Sequence, residues 1–154
     1  MPHIHEKIDF TAEVFIVYGH QVLLRLHDKY KLWLSVGGHI ELNEDPTETA
    51  IREVKEEVGL DVTLVGEIPQ TEPEKAGYKE LLPPRFLNRH RINESHEHVT
   101  FVYFAKSDTD EVIASGDDRS DDWKWFTFQE LEDPAYALKP SIKHYAQEAL
   151  KELG

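Results

Sequence analysis

Residues 45–59 constrain this chain more than any other segment, because both ends of a helix and the chemistry of one of its faces are written there. Asp45-Pro46-Thr47-Glu48 spells a helix start. The aspartate caps, the proline takes the first helical position where its missing N–H costs nothing, and Glu48 completes a capping-box pair. Gly59 supplies the stop, being suited to the left-handed backbone just past a helix end. At about 100° per residue, Thr47, Ala50, Ile51, Val54 and Val58 gather on one side of this helix. Glu53, Glu56 and Glu57 gather on another, since residues three and four apart are surface neighbours. Adjacent carboxylates repel one another unless a positive charge opposes them, and Arg52 and Lys55 sit off the centre of the acidic face. Two readings follow. One is a solvated acidic face; the other is a hard-cation site, since carboxylate oxygens suit Mg²⁺ or Mn²⁺.

Around this helix the pattern alternates. Residues 10–18 and 21–26 are β-rich and flank a Gly19-His20 turn, which predicts a hairpin. Residues 31–36 form a third short strand ended by Gly37-Gly38, and residues 62–68 a fourth. Between Pro69 and Pro84, prolines, a glycine and many charges mark a long exposed connection. Residues 98–105 are the strongest strand candidate, and 123–128 another. Over residues 140–153, Ile142, Tyr145, Ala146, Ala149, Leu150 and Leu153 make one apolar helical stripe. Strands enclosing one helix and ending in a second predict an α/β (α+β) protein, a mixed sheet between helices in an α-β-α arrangement. At 154 residues the expectation is a single domain spanning 1–154.

Composition narrows the function. Lys and Arg number 17 against 30 Asp and Glu, a formal net charge of −13. That field repels nucleic acid polymers, whose binding rests on phosphate neutralisation, but admits a small phosphorylated ligand if cations mediate the contact. Cysteine is absent, which removes disulfides, zinc–thiolate sites and a thiol nucleophile. No apolar run suits a signal peptide or a membrane span, so a soluble cytoplasmic protein is expected.

The residues before the helix decide between its two readings. From Gly38 the chain runs through five residues to Glu44, then seven to Arg52-Glu53-Val54, Lys55, Glu56-Glu57, Val58 and Gly59-Leu60. A chance match to these fixed positions is on the order of 10⁻⁸ per starting point. The pattern resembles the Nudix box of the Nudix hydrolases, and it covers residues 38–60. The preceding strand with Gly-Gly and the later Trp125-Phe126 before a short acidic helix are similar to that family more loosely. The resemblance implies a hydrolase that cuts a diphosphate linkage, with Mg²⁺ as cofactor and Mn²⁺ able to replace it. It makes Glu53, Glu56, Glu57 and the carbonyl of Gly37 metal ligands. It makes Glu53, or a glutamate outside the helix, the base that activates water, while Glu44 and Arg52 complete the catalytic set by holding loop and glutamates in place. Gly38 and Gly59 are structural within the motif. Magnesium opposes the phosphate charge that would repel water, lowers the pKa of a bound water and stabilises the leaving phosphate.

Substrate choice is less legible. Arg85, Arg89 and Arg91, with His90, form a basic cluster in an acidic chain and are expected to reach phosphates; Arg89 and Arg91 share a face if the segment is extended. The pairs His96/His98 and His3/His5 read as ordinary surface histidines for want of a third ligand. Glu94, Glu97, Asp117, Asp118 and Asp121 are candidates for an outside base. The expected substrate is a nucleoside triphosphate or another nucleoside diphosphate linked to some group, as in small relatives that clear damaged nucleotides such as 8-oxo-dGTP. ADP-ribose, nucleotide sugars and dinucleoside polyphosphates are the alternatives, and a non-catalytic nucleotide sensor is a further one. Many members of this family are homodimers, so a homodimer is a possible assembly.

Overall fold

Alternating apolar residues become β1 (Ile8–Tyr18) in a computed structural model that describes residues 7–27, 30–113 and 122–154. The Gly19-His20 turn, with Gly19 at φ 59°, returns the chain into β2 (Gln21–His27), antiparallel to β1 at Val17 and Tyr18. The strand expected over 31–36 is two strands. β3 (Leu32–Leu34) lies on β2, and β4 (Val36–His39) crosses to the N-terminal half of β1, with Ser35 between them. Gly37 and Gly38 therefore belong to β4 and do not end a strand. A Cβ on Gly37 would collide with the Ala12 carbonyl of β1, so only glycine permits so close an approach there.

α1 (Pro46–Val58) follows with the capping box its sequence predicts: Asp45 accepts from the Glu48 amide at 2.9 Å, and Glu48 accepts from the Asp45 amide at 3.0 Å. Gly59, at φ 70°, closes it. β5 (Val62–Leu64) is shorter than its apolar sequence suggests. The connection after it is largely exposed, apart from Leu82, which reaches into the core. Then come β6 (Phe86–Asn93), β7 (His96–Ser107), β8 (Asp122–Phe126), α2 (Phe128–Glu132) and α3 (Pro140–Leu153). β6 was not expected: its arginines and asparagines mask a strand that pairs along β7.

The sheet runs β3-β2-β1-β7-β5, with β4 also on β1, β6 on β7 and β8 on β2. β1 and β7 pair in parallel from Ile8↔Glu97 to Val17↔Lys106 and the other pairings are antiparallel, so the sheet is mixed. Period-two alternation gives it two apolar faces. Ala12, Val14, Ile16, Leu23, Tyr103 and Ala105 pack against Ala50, Val54 and Val58 of α1. Phe15, Val17, Val22, Leu24, Val102 and Phe104 pack against Ile142, Ala146, Ala149 and Leu150 of α3. Each large apolar side chain fully buried this way contributes about 1.5–3 kcal/mol. The result is the α-β-α layering. Ile51, placed by period on the inner side of α1, is 48% exposed, because the buried arc centres on Ala50, Val54 and Val58. Toward the N-terminal end of β1 the α3-side face turns polar, with Asp9, Thr11 and Glu13 in place of Phe15 and Val17. Among the described residues, no helix is long and apolar enough to cross a membrane.

Candidate active site

α1 brings two of the three side chains on its acidic face inward. Glu53 and Glu57 are 7% and 6% exposed, while Glu56 stands at the rim. Both buried carboxylates face the glycines of β4. The Gly37 amide donates to Glu57 Oε1 at 3.2 Å, and a Cβ on Gly38 would run into the Glu53 carboxylate. The paired glycines thus form a floor on which the glutamates rest.

Arg52 does more than its sequence position suggests. Its long side chain brings the guanidinium onto the acidic face. Nε donates to Glu44 Oε2 at 2.6 Å and Nη2 to Glu44 Oε1 at 2.9 Å, a two-pronged pair of the kind a planar fork favours. Nη1 reaches Glu53 at 3.0 Å and Glu56 at 3.2 Å, and Nη2 also donates to the His39 carbonyl at 3.3 Å. Thr49 Oγ1 donates to Glu44 at 2.9 Å. The Arg52 hydrogen bonds hold the Glu44 carboxyl below the ordinary carboxylate range and push the arginine's own pKa upward.

The buried pair behaves oppositely. Burial pushes Glu57 up to about 8 against the opposing charge of Arg25, and burial also raises Glu53 against the opposing charge of Arg52. Two arginines leave these carboxyls short of positive charge. The donor set is all oxygen, and two of its members are desolvated, so a hard divalent cation fits the chemistry of the cluster. Glu53, Glu56, Glu57 and the Gly37 carbonyl could hold it.

Sequence reasoning missed two residues here. Arg25 of β2 lies 3.0 Å from Glu57 Oε2 and also donates to the Ser35 carbonyl at 3.0 Å. Ser35 Oγ donates in turn to Glu13 Oε2 at 2.7 Å, and burial raises the pKa of Glu13. This chain of contacts ties β1, β2 and the β3–β4 junction to α1. The available signal was a lone charge inside each of two apolar strands.

The expected substrate residues separate. Arg89 and Arg91 do share a face of β6, both exposed, and Arg89 pairs with Glu97 at 2.7 Å. Arg85 turns instead toward α3, pairing with Glu152 at 2.9 Å over the Phe104 ring. Of the candidate outside bases, Glu97 is engaged by Arg89 and Glu94 is exposed. Asp117, Asp118, Asp121, His3 and His5 lie outside the described residues. His96 is no surface residue: it is 4% exposed, set against Asp9 of β1 and the His98 ring, which His39 of β4 and His90 of β6 also flank. Burial, and then the neighbouring imidazoles, hold the His98 ring down at about 4.

Residues 10–148, which include the whole glutamate cluster and its glycine floor, match the family model described as the NUDIX domain. The chain belongs to the NUDIX domain family. This NUDIX chain is similar to the crystal structure of a NUDIX-family hydrolase from Clostridium perfringens, with 37% sequence identity, a TM-score of 0.82, and coverage of 95% of this chain and 98% of that one. It shares its fold with a MutT NUDIX hydrolase from Burkholderia pseudomallei at 20% identity and a TM-score of 0.64, covering 97% and 100% of the two chains. A protein of Lactococcus lactis subsp. cremoris named "Probable DHNTP pyrophosphohydrolase" is 26% identical over 109 residues, 71% of this chain. The match spans 60% of that relative's length.

Proposed function

We propose that this NUDIX-family pyrophosphohydrolase cleaves a diphosphate linkage in a nucleoside triphosphate, or in another nucleoside diphosphate joined to a second group, with magnesium as its cation. The observation that carries the reading is the pair of buried glutamates, Glu53 and Glu57, lying on Gly37 and Gly38 with Glu56 beside them. The name of the Lactococcus relative supports release of pyrophosphate.

Glu53, Glu56, Glu57 and the Gly37 carbonyl would hold the cation. When bound, it supplies positive charge against the phosphate oxygens and raises the acidity of water. Arg52 and Glu44 keep the rim carboxylates in register, so that a diphosphate meets donors already oriented. Arg25 and the Gly37 amide fix Glu57 from the opposite side. Glu53 is the carboxylate we assign to taking the proton from the attacking water, because burial raises its basicity above that of an ordinary glutamate. Water oxygen joins phosphorus, and the bridging P–O bond breaks with its electrons leaving on the departing phosphate. Arg89 and Arg91, the exposed cations of β6, are assigned to the substrate's outer phosphates. The enzyme is proposed to work as one domain on small solutes in the cytoplasm.

The test is a panel assay following phosphate and pyrophosphate release from nucleoside triphosphates, ADP-ribose, nucleotide sugars and dinucleoside polyphosphates, with and without magnesium. Magnesium-dependent turnover of a triphosphate supports the reading. Turnover confined to ADP-ribose or nucleotide sugars replaces the substrate class, and metal-independent turnover removes the cation. Glu57→Gln is expected to lower kcat by at least about a hundredfold while the protein stays folded.

A further inference from the structure

Away from the glutamate cluster, on the polar end of the sheet's α3-side face, four strands converge on one carboxylate. Asp9 of β1 is 1% exposed and lies opposite His98 in the parallel register with β7. His96 is two residues earlier on the same face of β7. His39 of β4 sits opposite Thr11 of β1, two residues beyond Asp9, and His90 of β6 sits opposite His98. Strand pairing alone therefore gathers four imidazoles and one carboxylate on one face.

The side chains meet. His96 Nε2 is 3.1 Å and His39 Nε2 is 3.3 Å from Asp9 Oδ2. One ligand atom from each of Asp9, His39 and His98 lies within 4.8 Å of the others. The His98 ring stands 5.0 Å from His39 and 5.1 Å from His96, at interplanar angles of 88° and 89°. Donors of one tetrahedral ion, bound at about 2.0–2.2 Å, sit roughly 3.4 Å apart, so modest side-chain rotation brings Asp9, His39 and His98 into range, and His96 already stands beside Asp9.

The geometry points to a second metal site, formed by Asp9, His39, His96 and His98, that takes a transition-metal dication of the Zn²⁺ kind. Three imidazoles and one carboxylate are the ligands such an ion selects, whereas magnesium prefers oxygen alone. The placement on buried strands suits a fixed ion. The site also touches the active site. His39 follows Gly38 in the chain, and its carbonyl accepts from Arg52, the residue that spans Glu44, Glu53 and Glu56. An ion there would steady β4 and, through it, the glycine floor.

The experiment uses the full chain stripped of metal, then titrated with Co²⁺ or Zn²⁺ in excess magnesium so that the carboxylate cluster is occupied. The expected result is one tightly held Co²⁺ per chain with the visible bands of a four-coordinate ion, together with a Zn²⁺-dependent rise in melting temperature. Glu57→Gln should keep both signals. His98→Gln should weaken Co²⁺ affinity by at least about tenfold, and His39→Asn should do the same. Absence of those bands in the folded wild-type chain would overturn the proposal. So would their survival in both histidine variants, or their loss in Glu57→Gln alone, which would assign the ion to the glutamates. Because magnesium-dependent turnover is not read here, failure of this site and failure of the proposed hydrolysis are separate results.

Discussion

Removing the charge of Glu57 while keeping its size should stabilise the metal-free protein at alkaline pH, although the same change should nearly silence the enzyme. Glu57 titrates at about 8 in the folded chain against an ordinary 4.5, because burial outweighs the help of Arg25. A carboxyl that holds its proton more tightly folded than unfolded contributes stability below pH 4.5, and loses that contribution as pH climbs through 8. At about 1.4 kcal/mol per unit, the whole swing is roughly 4–5 kcal/mol. Glutamine cannot ionise, so it escapes the loss. It keeps one good acceptor for the Gly37 amide or Arg25 but not both, a penalty of about 1 kcal/mol. In EDTA, Glu57→Gln should therefore match or slightly trail the wild type at pH 5 and exceed it by roughly 3 kcal/mol at pH 9. Urea unfolding followed by circular dichroism, at unit pH steps, measures the difference. Saturating magnesium should reverse the order, since the cation pairs with a carboxylate and not with an amide. A variant less stable than wild type at every pH without metal would refute the reasoning, because Glu57 would then be a satisfied anion.

Calorimetry at pH 7 in buffers of different ionisation enthalpy should show magnesium binding expelling close to one proton per chain, and the affinity should rise with pH up to about 8. Gly38→Ala should cost only about 1–2 kcal/mol of stability, since the obstacle is the end of a flexible side chain, yet cut kcat sharply by displacing the Glu53 carboxylate; melting temperature and kcat are measured together. Arg52→Lys keeps the charge but loses the fork that grips Glu44, and kcat should fall at least about tenfold with little change in KM. Arg89→Ala and Arg91→Ala should raise KM at nearly constant kcat, and an unchanged KM would return both to the solvated edge of β6.

Local rules carried the reading where one signal dominated. The capping box and glycine stop fixed α1 to the residue, and the apolar stripe of α3 was visible for the same reason. Failures came where a side chain's fate depends on a distant strand. The polar face of β6 gives no alternation of the expected kind, because the strand lies at an edge with much of one face in water. His96 and His98 looked superficial because their third and fourth neighbours, Asp9 and His39, come from strands far away in sequence. Arg25 and Glu13 were passed over because a charge in an apolar strand acquires meaning only once its partner is known. In the candidate site, the clustering of the glutamates on one helix face was legible from the motif, but the reach of Arg52 across the acidic face was not.

The parallel ladder between β1 and β7 joins residues 89 positions apart, as at Thr11 and Thr100. On a ribosome, the first strand would leave the exit tunnel and wait through most of translation before its long partner existed. The helix bearing the glutamates would emerge after the β4 glycines but before Tyr103 and Ala105 of β7, which complete the core beneath it. Closing so large a loop is slow, and the waiting strand presents an open edge in the meantime. Truncation before residue 107 should accordingly yield aggregates rather than a smaller working unit.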